Sequence, residues 1–213
     1  PGMKGFGVPR LWYRLDIVYT DGRTATVVSD ESWKITCEGP IRANNEFDGE
    51  TYDARKELTG WTKVGYDDSA WAKASLMDAP GGRLVLQPNP NIAGQDIVKP
   101  VSITKTDHGY ILDMGQNMVG RLQIKARGLQ RGDTLTMKFA ELLNPDGTLY
   151  LANLRTAKVL DTYIAKDGKP IVWHPEYVYH GFRYVEIKGL KNEPKLGDFE
   201  GQVMYDKMAV TGH

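Results

Sequence analysis

The 213-residue sequence predicts an all-β chain: two tandem antiparallel β-sandwich domains of jelly-roll type. Three observations predict it. Apolar residues recur at every second position through several runs, the period of a half-buried strand. Asp-Gly and Gly-Asp pairs separate those runs, as hairpin turns require. The chain also holds 23 glycines and 11 prolines, which favours many turns over long helices.

In chain order, Leu11, Tyr13, Leu15, Ile17 and Tyr19 are apolar while Arg14 and Asp16 face the other way, so 11–19 is read as a half-buried strand. Asp21-Gly22 supplies the positive φ angles of a tight turn, and the Thr- and Val-rich segment 23–29 returns as its partner. Asp67 to Lys73 is a short candidate helix. From Ala79 to Pro100, Pro80, Gly81, Gly82, Pro88, Pro90 and Pro100 mark a connection between two compact units. The boundary is placed near Pro100, giving domains 1–99 and 100–213, each near the usual size of a sandwich. In the second, Leu122, Ile124 and Ala126 alternate with Arg121, Gln123, Lys125 and Arg127. Gly132-Asp133 then leads into Leu135, Met137 and Phe139, and the two runs are read as antiparallel strands. Leu149 to Ala157 is a second short candidate helix, and Asp146-Gly147 and Asp167-Gly168 mark further turns.

Composition narrows the function. At 41% hydrophobic and 25% charged, the chain has enough apolar residues to bury a core. Its 27 basic and 27 acidic side chains leave no surplus positive charge for phosphates or anionic lipid, so neither nucleic acid nor a membrane surface is an expected partner. Cys37 is the single cysteine, which excludes an intrachain disulfide, and no apolar run of 18 residues exists to span a membrane. The opening, Pro1-Gly2-Met3-Lys4-Gly5, reads like a piece cut from something longer. Nothing here fixes a compartment.

The densest polar stretch is 44–55, where Asn44, Asn45, Glu46, Asp48, Glu50 and Asp53 concentrate oxygen-bearing side chains. A hard cation such as calcium needs several such oxygens. Sugar recognition uses the same groups plus an aromatic plate, for which Phe47, Tyr52 and Trp61 are candidates. The competing reading is a solvated turn with Tyr52 and Trp61 in the core. His108, His174, His180 and His213 form no metal-binding spacing, and His180 is read as structural. Nucleophile elbows and glycine-rich phosphate loops are absent. Asp48 with Glu50, or Asp53 with Glu57, are the closest carboxylate pairs, a spacing that chance produces readily, and no catalytic residue is assigned.

Asp48-Gly49-Glu50-Thr51-Tyr52-Asp53-Ala54-Arg55, then Gly60-Trp61 and Tyr66-Asp67-Asp68-Ser69-Ala70-Trp71, resemble the amino-terminal module of bacterial α-L-rhamnosidases, glycoside hydrolase family 78. A second block is similar to the β-sandwich that follows it there: Asp113-Met114-Gly115-Gln116-Asn117-Met118-Val119-Gly120, Ala140-Glu141, Asn144 to Tyr150, Asn153-Leu154-Arg155, Asp161-Thr162-Tyr163 and Tyr179 to Glu186. The resemblance implies that 1–99 is a jelly-roll module and 100–213 a concanavalin-like one. It places catalysis in a separate (α/α)6 barrel whose acidic motif is only partly mimicked by Asp53 to Trp61, so this chain is not expected to hydrolyse glycosides alone. It further implies a carbohydrate-binding role, toward terminal L-rhamnose in glycans, through Asn45, Glu46, Tyr52 and Trp61. Calcium would be held by Asn44, Asn45 and Glu46 with Gln95 and Asp96 of a later loop. The alternative is a structural scaffold packing against the catalytic domain of the parent chain, with Arg183 and Glu186 bracing strands or that domain.

Overall fold

The computed structural model describes residues 10–79, 81–209, 211 and 212. Among them the strands in chain order are β1 (Arg14–Val18), β2 (Thr24–Val28), β3 (Lys34–Ile35), β4 (Ile41–Asn45), β5 (Gly49–Asp53), β6 (Ala72–Lys73) and β7 (Ile92–Val98). They continue with β8 (Ser102–Thr106), β9 (Gly109–Ala126), β10 (Thr134–Ala140), β11 (Leu160–Ile164), β12 (Ile171–Trp173), β13 (His180–Lys188) and β14 (Phe199–Asp206). No α-helix occurs among the described residues; the helical content is three 3-10 turns, at Ala54–Lys56, Ala152–Leu154 and Leu196–Asp198. The all-β expectation therefore holds. The two short helices do not form: Ala72–Lys73 pairs as β6 with β3, and 149–157 contains only one 3-10 turn. Neither segment offers an apolar face long enough to sustain helical hydrogen bonding without tertiary support.

Two compact units are present: among the described residues one comprises 10–38 and 59–84, and the other 39–58 and 85–209. In the first, β1 and β2 pair from Arg14↔Val28 to Val18↔Thr24. The turn between them closes through the Gly22 N–H on the Tyr19 carbonyl, with Gly22 at φ +84°. The strands lie where the alternation puts them, but the half-burial does not follow: Leu15 is 42% exposed, and no described residue of this unit is buried.

The second unit holds the core. Its sheet runs β4-β5-β11-β10-β13-β9-β14-β7, with β8 and β12 also on β9. The 18-residue β9 serves two layers. Its first half lies between β8 and β13, and its second half between β14 and β12 or the start of β13. Between the halves comes Gly115, at φ +78° and against Val101, where a side chain would clash. From Met118 to Ala126 every even position of β9 is buried, because successive side chains point to opposite faces and one face meets the core. Leu112, Leu122, Ile124, Leu135, Met137, Phe139, Phe182, Val185, Ile187 and Phe199 are all fully buried there. β10 alternates as expected, yet β13 lies between it and β9, so the two runs are not each other's partners. Arg183 braces β13 to β9 by a bidentate pair with Asp113, at 2.8 and 3.0 Å, while Glu186 pairs with Lys188.

The sequence segment 39–58 thus leaves the first unit to supply β4 and β5 as the end of the second unit's sheet. β5 runs parallel to β11, with Thr51, Tyr52 and Asp53 opposite Thr162, Tyr163 and Ile164. That pairing positions the polar stretch.

Candidate functional site

The stretch 44–53 folds as the β4–β5 hairpin. Its turn is built by Asn45, whose Oδ1 accepts the N–H groups of Phe47 at 2.8 Å and Asp48 at 3.2 Å, an Asx turn. Gly49 follows at φ +102°, and a Cβ there would overlap the Leu160 carbonyl, so the residue must be glycine for the hairpin to seat. Phe47 and Asp48 carbonyls accept from the N–H groups of Val159 and Leu160, at 3.0 and 2.9 Å. Asp48 also faces Lys158, Oδ2 to Nζ at 3.5 Å.

Beneath the turn lies a buried polar cluster. Glu50 is fully buried; its carboxylate accepts from the backbone N–H groups of Glu176 and Tyr177 and from Asn44 Nδ2, at 2.9–3.2 Å. Burial nevertheless pushes its pKa up, the hydrogen bonds offsetting part of that shift and nearby Asp161 adding to it. The Glu50 N–H donates to Asp161 Oδ1 at 2.9 Å, and Asp161 meets His180 Nε2 at 3.1 Å through both oxygens. His180, its ring centroid 4.5 Å from that of Phe139, is structural as expected. This cluster fastens β5 to β11, β13 and the 176–177 loop, and it is closed to solvent. Asp53 is tied to Arg55 at 2.8 Å, and Glu57 accepts from the Tyr52 hydroxyl and the Lys166 ammonium. Neither weighed carboxylate pair is free to act across a glycosidic bond.

The predicted site residues separate. Asn44, Asn45 and Glu46 share the end of β4 and the turn. Tyr52 sits on β5 with its ring stacked on Tyr163, centroids 5.9 Å apart, and near Trp173 at 6.1 Å. Its hydroxyl pKa is raised, by burial first and then by Glu57. Gln95 and Asp96 lie on β7, at the opposite end of the strand order, where the Tyr205 hydroxyl donates to Asp96 at 2.8 Å. Trp61 is in the other unit and 59% exposed. For calcium the donor set is a poor fit: Asn45 Oδ1 already accepts two N–H groups, and Gln95 and Asp96 stand on β7, at the other end of the strand order. Among the described residues no three His, Cys, Asp or Glu side chains gather as metal ligands.

Two concavities flank the hairpin. One, of about 550 Å³, is lined by Tyr52, Glu57, Lys166, Lys169, Trp173 and Glu176. The other, of about 460 Å³, lies between the turn residues Asn45, Phe47 and Asp48 and the loop residues Arg155, Thr156 and Ala157. Arg155 and Thr156 carried no site assignment in the sequence, where they fall inside the expected helix; only tertiary pairing brings them beside the turn.

Comparison with known proteins agrees with the arrangement. Residues 3–96 match the family description "Alpha-L-rhamnosidase N-terminal domain" and residues 103–205 match "Bacterial alpha-L-rhamnosidase concanavalin-like domain". An α-L-rhamnosidase of Streptomyces avermitilis is 37% identical over 206 residues, covering 95% of this chain and 20% of that protein. One from Formosa agariphila is 36% identical over 208 residues, covering 96% of this chain and 22% of its own. Among solved structures, the α-L-rhamnosidase from Dictyoglumus thermophilum superposes with a TM-score of 0.90 at 40% identity, over 94% of this chain and 23% of that one. The chain thus spans about a fifth of the length of the relatives it matches.

Proposed function

We infer from these matches that the chain, which belongs to the bacterial α-L-rhamnosidase family, acts as a non-catalytic accessory region that engages rhamnose-containing carbohydrate for a parent glycoside hydrolase. The observation that carries this is the ordered match of two β modules over nearly the whole chain, against a fifth of each relative. A structure of the Streptomyces avermitilis relative is described as complexed with L-rhamnose, which supports the choice of sugar. The exposed oxygens and aromatic ring of the 44–48 turn supply the chemistry: acceptors for hydroxyls and a flat apolar face for ring C–H groups. Calorimetry of the chain with methyl α-L-rhamnopyranoside is expected to show weak binding, and no heat at millimolar sugar overturns the reading. An aryl α-L-rhamnoside is expected to survive prolonged incubation with the purified chain; turnover would overturn the non-catalytic assignment.

A second reading, a scaffold that packs against the catalytic part of the parent chain, is favoured by a specific surface. Val119, Tyr177 and Tyr179 are 49%, 74% and 44% exposed around the β9–β13 pairing, large apolar groups with nothing over them among the described residues. Co-elution of this chain with a separately produced catalytic domain, lost on Val119→Asp, is the result expected of that surface.

A further inference from the structure

We propose that the cleft between the β4–β5 turn and the 154–157 loop binds one ring of a pyranoside directly, without a metal ion. This rests on the carbohydrate-engaging reading above and deepens it by assigning the place and the residues. A pyranoside offers an apolar C–H face and vicinal hydroxyls that both donate and accept. The cleft matches each part. Phe47 lines it with a ring 63% exposed, open for stacking. Asp48 supplies acceptor oxygens, held in place by the Lys158 N–H at 3.3 Å and its ammonium at 3.5 Å. Arg155 is exposed and makes no hydrogen bond or ion pair among the described residues, so its guanidinium donors are uncommitted. Asn45 engages only its Oδ1 in the turn, which leaves its amide N–H groups as donors, and Thr156 adds a hydroxyl.

The wall is also held in unusual backbone. Arg155 has φ 55° and ψ −107°, and Val159, two residues past the cleft, has φ 46°. These are conformations that residues with a Cβ rarely adopt and that persist where surrounding structure imposes them. The neighbouring 550 Å³ groove lacks the same offer. Its Tyr163 and Trp173 rings are 4% and 8% exposed, too covered to stack on a sugar; Tyr52 is half-buried with one face already stacked on Tyr163, and Glu57 is held by Lys166 and the Tyr52 hydroxyl.

The test is calorimetric titration of the full chain with methyl α-L-rhamnopyranoside in EDTA and in calcium. The expected affinity is the same in both buffers, and falls tenfold or more in Phe47→Ala and in Arg155→Gly. The glycine variant suits the positive φ, so it removes the guanidinium without threatening the fold, and an unchanged thermal midpoint checks this. Lys169→Ala, in the other groove, is expected to bind as the original does. Binding that needs calcium, or that survives both cleft variants, or that is lost in Lys169→Ala, overturns the assignment while leaving carbohydrate engagement standing. No binding of any methyl pyranoside overturns both.

Discussion

Glu50 is the residue whose burial is most consequential. It has no ion-pair partner among the described residues and depends on two backbone N–H groups and Asn44. Glu50→Ala would leave those buried donors unsatisfied and open a cavity, a loss of about 3 kcal/mol expected in urea denaturation. Its raised pKa also sets a pH trend. The unfolded chain releases the Glu50 proton near the ordinary glutamate value, while the folded chain holds it to higher pH. Between those values the native state binds more protons, so the Glu50 contribution to stability falls as pH rises. Asp113 and Asp53 act in the opposite sense. Their pKa values are lowered, first by hydrogen bonds from Arg183 and Arg55, so their contributions are present above the ordinary carboxylate range and lost as pH falls through the folded values. In Glu50→Gln, denaturation midpoints should rise more, or fall less, from acid to neutral pH than those of the original chain, because the declining Glu50 contribution is gone. In Asp113→Asn they should lose part of their acid sensitivity. Of the candidate site, the residue types at 44–48 were legible because oxygen-rich stretches stand out in a sequence. That Asn45 turns its Oδ1 inward to two N–H groups was not, since an Asx turn depends on local backbone geometry that composition does not carry.

At the level of elements, the β4–β5 hairpin and β9 decide where everything sits. A Cβ on Gly49 would overlap the Leu160 carbonyl of β11, so Gly49→Ala should cost about 2 kcal/mol or more and loosen the parallel pairing. Faster amide exchange at Tyr52 and Thr162, with the β13 amides still protected, is the expected signature. Gly120 plays the same part between β9 and β14, where a Cβ would overlap the Gln202 carbonyl. The period-two signal at 122–126 and 135–139 was readable, and each residue of those core faces is buried. Which strand neighbours which was not readable. β13 arrives between β9 and β10 from more than forty residues further on, because its own buried face of Phe182, Val185 and Ile187 fits the gap.

For the whole molecule, burial is unevenly shared. No described residue in 10–38 or 59–84 is buried, whereas 39–58 and 85–209 contain the entire core. Hydrogen exchange should be fast through β1, β2, β3 and β6 and slow through β9, β10 and β13, and limited proteolysis should cut 59–84 first while the second unit survives. Uniform protection across both units would contradict this. The family descriptions meet between residues 96 and 103, near the boundary the prolines suggested, yet the compact units exchange 39–58 across that line. Sequence alone determined the all-β class, the alternating core faces, the family and the polar character of 44–55, because period, turn chemistry and motif order are local properties of the chain. Tertiary structure alone decided that 39–58 joins the later sheet, that Glu50 lies in the interior, and that Arg155 meets Phe47 across a cleft. Each of these depends on strand pairing between segments about a hundred residues apart, and the hydrogen bonding and packing that select such pairings act through space, where sequence distance has no bearing.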